Sequence, residues 1–193
     1  MKKILSICIL LICMACESET ENKDTTQEQF KNAENLFNSG KYTEAITQLT
    51  NLLKAKGTSD IYTLRAYAYL KSGNKENAFK DFSSAYSLNK TDPETLTGLA
   101  LLHFYKKNYT SVISVANELL TLNKTFKSER EPTFDYKDIV YVASNSYFRN
   151  KDYTSTYTLL KAYKTELSFT KEQSDLPLQL ILELEHLYKS ARK

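Results

Sequence analysis

Three cysteines and two histidines are the residues of this 193-residue chain best suited to nucleophilic or metal chemistry. Cys8 and Cys13 lie inside an apolar run, Ile4 to Met14, that follows Met1-Lys2-Lys3, and Cys16 comes directly after it. A basic start, a short apolar stretch and an abrupt polar sequel make a secretory leader; eleven residues fall short of the roughly 20 a spanning helix needs. Cleavage after Ala15 leaves one cysteine and therefore no internal disulfide. His103 and His186 stand in no metal-ligand spacing. His103 is expected in or near a helical core, and Glu183-Leu184-Glu185-His186 lacks the second histidine of a zinc-protease helix. No Gly-x-Ser-x-Gly elbow, Walker loop or dinucleotide fingerprint occurs, and 4 glycines leave little material for a phosphate cradle. No enzymatic activity, cofactor or metal is expected.

Cys16 has a chemistry of its own. Cys13-Met14-Ala15-Cys16 resembles the bacterial lipoprotein signal, in which a small residue precedes a cysteine that receives diacylglyceryl and becomes the new N-terminus. Cys13 and Met14 depart from the aliphatic and small residues usual there, so ordinary secretory cleavage with a free Cys16 thiol stands as the alternative. The resemblance implies a cell-envelope protein, lipid-anchored at the outer membrane on its periplasmic or its outer side. Residues 17–25 carry four acids and no large apolar group, a solvated tether that reaches roughly 30 Å when extended. An acidic stretch in this place also resembles surface-export signals; the other reading is a plain linker. A formal charge of +3, part of it from Lys2 and Lys3 in the leader, gives little attraction for nucleic acid.

The remainder must be built from helices. Ser39-Gly40-Lys41-Tyr42, Ser72-Gly73-Asn74-Lys75 and Lys107-Asn108-Tyr109 recur at spacings of 33 and 34 residues, and Lys151-Asp152-Tyr153 follows after 44. Apolar residues at helical spacing flank each turn, as in Phe30, Ala33, Leu36 and Phe37 before Gly40 and Ala45, Ile46, Leu49 and Leu52 after it. Asp92-Pro93 predicts a helix start, and Thr26/Gln29 and Thr170/Gln173 have the capping-box pattern. The ten extra residues before Lys151 fall near 126–137, around Pro132; they are either a tolerated surface insertion or part of a partner contact. Leu180, Ile181, Leu184, Leu187 and Tyr188 predict a final amphipathic helix over about 170–191, a cap for the array or, alternatively, a membrane-binding helix.

These residues resemble the tetratricopeptide repeat family over about 27–166. Ala33, Ala66, Ala100 and Ser144 match its small first-helix position, Ala45 and Ala78 its small second-helix position, Gly40 and Gly73 its turn glycine, and Tyr42, Tyr109 and Tyr153 the aromatic residue after it. Lys107 and Lys151 replace the glycine, and Val112 and Thr156 the alanine. The resemblance implies an all-α, right-handed α-solenoid of antiparallel helix pairs, with repeats at about 27–57, 59–91, 92–125 and 137–168 behind a signal peptide (1–15) and tether (16–26).

In that family the first helices line a concave face that takes a protein or peptide. Carried over, the groove candidates are Phe30, Glu34, Phe37 and Asn38; Thr63, Tyr67 and Lys71; Leu101, Phe104 and Tyr105; and Tyr141, Asn145 and Arg149. About half of the aromatic candidates are expected to pack internally. Phe30 and Glu34 stand where a clamp for a chaperone's C-terminal carboxylate would need Lys and Asn, so that subclass is not expected. The reading is an envelope scaffold or adaptor for protein partners. Alternatives are a component of outer-membrane or pilus assembly, and, in a different class, an enzyme or enzyme accessory with unrecognised activity.

Overall fold

A left-handed residue closes each helix pair, and the rest of the architecture follows from that turn. The computed structural model describes residues 25–122, 124–172 and 174–190; the leader, the Cys16 lipidation site and the tether as far as residue 24 lie outside them. Helix α1 covers residues 25–38. It is followed by α2 (Tyr42–Ala55), α3 (Ser59–Lys71), α4 (Lys75–Leu88), α5 (Pro93–Tyr105), α6 (Tyr109–Leu119), α7 (Tyr136–Arg149), α8 (Tyr153–Tyr163) and α9 (Leu176–Ser190). The product is an all-α solenoid of four antiparallel pairs with a terminal helix. Among the described residues the only β pairing is an isolated bridge, Lys127 to Asp135.

At the four turns Gly40, Gly73, Lys107 and Lys151 have φ of 76°, 87°, 58° and 63°. Each donates its N–H to the carbonyl three residues back, and the next residue donates to the carbonyl five back, as in Gly40 to Phe37 and Lys41 to Leu36. These bonds satisfy carbonyls that the helix end would otherwise leave bare. Asn74, Asn108 and Asp152 then accept N–H bonds from Asn77, Ser111 and Ser155 and start the second helix. Glycine adopts this backbone freely, whereas the two lysines hold it against the steric cost of a Cβ.

The small positions do what close packing requires: Ala33, Ala66, Ala100 and Ser144 are all buried, as are Ala45, Ala78 and Val112. Thr156 is buried too, its hydroxyl donating to the Asp152 carbonyl at 2.8 Å. Between the second and third pairs the helices approach closely. Phe82 meets Tyr67 edge-on with centroids 5.0 Å apart, and a Cβ built on Gly98 would lie 2.1 Å from the Phe82 ring. Arg65 clasps Asp81 through Nε (2.7 Å) and Nη2 (2.8 Å) and reaches Thr50 with Nη1 (3.0 Å), tying α2, α3 and α4 together. His103 is half-buried with its ring edge-on to Phe79 at 5.2 Å, and its Nδ1 has no hydrogen-bond partner among the described residues.

Two helix starts differ from the capping-box reading. Residue 25 is already helical, so Thr26 lies inside α1. Helix α9 begins at Leu176, beyond Thr170; Gln173 lies outside the described residues. The amide N–H groups of Leu178 and Gln179 bond the Asp175 carbonyl instead. Leu176, Leu180, Leu184 and Leu187 bury against α7 and α8, whereas Ile181 and Tyr188, expected on the same face, are exposed.

Three outcomes are expected. Lys107→Gly and Lys151→Gly should each raise stability by about 1 kcal/mol, read by denaturant unfolding, because the left-handed strain disappears. Gly98→Ala should lower it by about 2 kcal/mol although alanine is the better helix former, since overlap with Phe82 outweighs propensity; in a Phe82→Leu background the loss should shrink. Burial first, and then the charge of Lys106, lower the His103 pKa below 6.5, so the unfolded chain takes the proton more readily. That contribution is intact above pH 6.5 and is lost as pH falls through the folded-state value. The drop in Tm from pH 7 to 5 should therefore be shallower in His103→Gln, and identical slopes would rule His103 out.

Candidate protein-interaction face

Helix α3 touches α5 and α5 touches α7, so the first helices of successive pairs line one face of the array. The candidate residues on it divide into three groups. Phe37, Thr63 and Tyr67 are buried and serve packing: Phe37 stands edge-on to Tyr42, and the Thr63 hydroxyl lies 2.7 Å from that of Thr95 beside the α5 cap Asp92. Tyr67 donates its phenol to the Glu94 carbonyl at 3.0 Å. Burial, with the nearby Glu94 charge, raises its pKa well above 10.0, so it remains a donor.

A second group forms an accessible strip toward the far end of the array. Phe104 lies 6.1 Å from Tyr141 between ring centroids, and Tyr141 lies 5.2 Å from Tyr188 of α9. Asn145 donates its amide to the Tyr141 hydroxyl (3.3 Å), and Arg149 donates Nε to Asn145 (3.4 Å). Leu101 is half-buried and Tyr105, 64% exposed, carries the Lys75 ammonium 3.4 Å above its ring; Phe30, half-buried, and Asn38, exposed, lie apart from this strip on α1. Flat aromatic surface edged by amide and guanidinium groups suits contact with polypeptide.

The third group, Glu34 and Lys71, is already engaged by the extra residues between α6 and α7. That segment folds back over the face of α1, α3 and α5. Phe134 is buried and Phe126 half-buried at its base, where Ser128 N–H bonds the Phe134 carbonyl and Tyr136 N–H the Phe126 carbonyl. At its tip Arg130 Nη2 donates to Glu34 at 2.6 Å, and Lys71 Nζ donates to Glu131 at 2.7 Å. The Glu94 carboxylate accepts from Ser128 Oγ (2.7 Å), Glu129 N–H (2.7 Å) and Arg130 N–H (3.4 Å). The insertion thus lies across the face of the first helices. Sequence spacing locates the excess but not where it goes; Glu94, Ser128 and Arg130 carry no periodic signal. Among the described residues no group of three or more His, Cys, Asp or Glu is placed to hold a metal ion, and no helix is long and apolar enough to cross a membrane.

Comparison with known proteins agrees with this architecture. Residues 59–92, α3 and α4, match the model of the family described as tetratricopeptide repeat. DnaJ homolog subfamily C member 3 of Homo sapiens is 27% identical over 120 residues, which are 57% of this chain and 24% of that protein. TPR repeat-containing protein MJ1428 of Methanocaldococcus jannaschii is 29% identical over 87 residues, 40% of this chain and 15% of that protein. The chain therefore spans a quarter or less of the curated relatives it matches. A solved structure of Podosopora anserina kinesin light chain nearly identical TPR-like repeats superposes with a TM-score of 0.53 at 16% identity, covering 86% of this chain and 92% of that one. The chain is an all-α solenoid of TPR-like helix pairs, and its second pair carries the sequence of a tetratricopeptide repeat.

Proposed function

We propose that this chain is a protein-binding scaffold of the cell envelope, held at a membrane by lipid on Cys16 and docking a protein or extended peptide on the face of its first helices. The observation that carries the reading is that this face already accepts polypeptide: residues 128–131 lie on it through side-chain pairs with α1 and α3 and through a hydroxyl and two backbone N–H bonds to Glu94 of α5. Phe104 and Tyr141, in contact between α5 and α7, and the exposed Tyr105 next to Phe104 in sequence supply contact area of the kind that anchors a partner. The anchor rests on the Ala15-Cys16 leader, and the tether between Cys16 and α1 would hold the array just off the bilayer.

Two measurements test this. Cys16→Ala should move the protein from the membrane to the soluble fraction of lysed cells; unchanged retention would remove the lipid anchor from the reading. A photo-crosslinking residue at Tyr105 or Tyr141 should trap a protein partner in living cells, whereas one at Ser83 or Thr110 on the second helices should not. Trapping confined to the second helices would overturn the assignment of the face.

A further inference from the structure

The tip of the inserted segment shows what chemistry the face of α1, α3 and α5 selects. One carboxylate, Glu94, takes a hydroxyl and two successive backbone N–H groups; a second, Glu34, takes a guanidinium; the ammonium of Lys71 takes a carboxylate. The Glu131 N–H closes the turn on Ser128 Oγ at 2.9 Å. A strand laid straight would not offer two adjacent amides to one acid, so the arrangement reads a turn. Hydroxyl, guanidinium and carboxylate must also fall in that order for all three helices to be used.

The tip and its base are held differently. Phe126 and Phe134 pack into the core and fix the ends of the segment; Ser128 is buried between, its N–H on the Phe134 carbonyl and its hydroxyl on Glu94, and residues 129–131 are joined to the helices by hydrogen bonds and partly exposed ion pairs. Water reaches both ion pairs, so the Ser128 hydroxyl and residues 129–131 can leave the face while the Ser128 N–H bond to the Phe134 carbonyl and the two phenylalanines hold the base. Its tether keeps it at an effective concentration on the order of millimolar, which lowers the apparent affinity of any competitor by the fraction of time the face is filled.

We propose that the face of α1, α3 and α5 is a recognition site for a turn of the type Ser/Thr-x-Arg-Glu on a protein partner, and that Ser128-Glu129-Arg130-Glu131 is its tethered occupant, displaced when the partner binds. The proposal rests on the reading of the first-helix face as the binding face.

The test uses the mature chain and a fluorescent linear peptide of residues 126–135. Two opened forms are compared with the wild type: Arg130→Ala/Glu131→Ala, and replacement of residues 128–133 by a Gly-Ser run of equal length, each checked for an intact fold by circular dichroism. The opened forms should bind the peptide at least ten-fold more tightly than the wild type. Binding should fall about three-fold or more with Glu34→Gln in the opened background, and at least ten-fold with a peptide whose Arg and Glu are both alanine. Equal affinity in wild type and opened forms, or no binding by folded opened forms, would overturn the proposal. If the peptide fails while crosslinks from Tyr105 and Tyr141 still trap a protein, the turn recognition falls and the scaffold reading stands; failure of both removes both.

Discussion

The ring of Phe82 occupies the space where residue 98 would otherwise carry a side chain, and that contact sets the rest of the structure. Because Gly98 lacks a Cβ, α5 settles directly on α4, and Tyr67, edge-on to the same ring, reaches the first turn of α5 with its hydroxyl. This fixes the Glu94 backbone, and with it the carboxylate that receives the inserted segment. A packing contact at the junction of two repeats thereby determines where a polar site opens on the surface. Any change that pushed α5 away would move Glu94 relative to Lys71 and Glu34, which belong to other helices.

Ion pairs serve opposite ends in the two halves of this arrangement. Arg65 and Asp81 form a bidentate pair between helices with little water access, and Thr50 accepts a further guanidinium N–H, so the charges are satisfied where desolvation would make a lone one costly. Glu34 with Arg130 and Lys71 with Glu131 are shorter than many such pairs but retain solvent contact. Water competes for them, which keeps their net contribution small. One pair thus joins neighbouring helices of the scaffold, and the other two join its face to the inserted segment.

How much of this could be read from the sequence depended on whether a feature was local. The turns were legible because each needs the same backbone: Lys107 sits at positive φ where the 34-residue spacing puts it, and Lys151 does so 44 residues on, where the Lys-Asp-Tyr sequence marks the turn. Asp92-Pro93 was legible for the same reason, since a cap and its first turn are neighbours in the chain. The face was less so. In a stacked array one helix position faces outward in one repeat and against the next helix in another, so Thr63 and Tyr67 are buried while Tyr141 and Asn145, at equivalent places, are half-buried. Gly98 gave no signal because a lone glycine inside a helical pattern does not announce what approaches it. Glu34 was visible as a polar residue, but Arg130, 96 residues away, lies beyond any periodic argument.

That separation changes how the array comes apart. Contacts in a solenoid run between nearest repeats, so stability is roughly a chain of local terms and the ends can fray one repeat at a time. The segment between α6 and α7 breaks that rule by bridging back to α3 and α1 over 60 and 96 residues. Such bridges are slow to form, since they wait on the closure of a long loop. Once formed, they make opening of the first hairpin depend on the third and couple units that would otherwise melt independently. Release of the tip from the face would then return the N-terminal repeats to looser, repeat-by-repeat behaviour, so occupancy of the face and the cooperativity of unfolding are linked through the same few contacts.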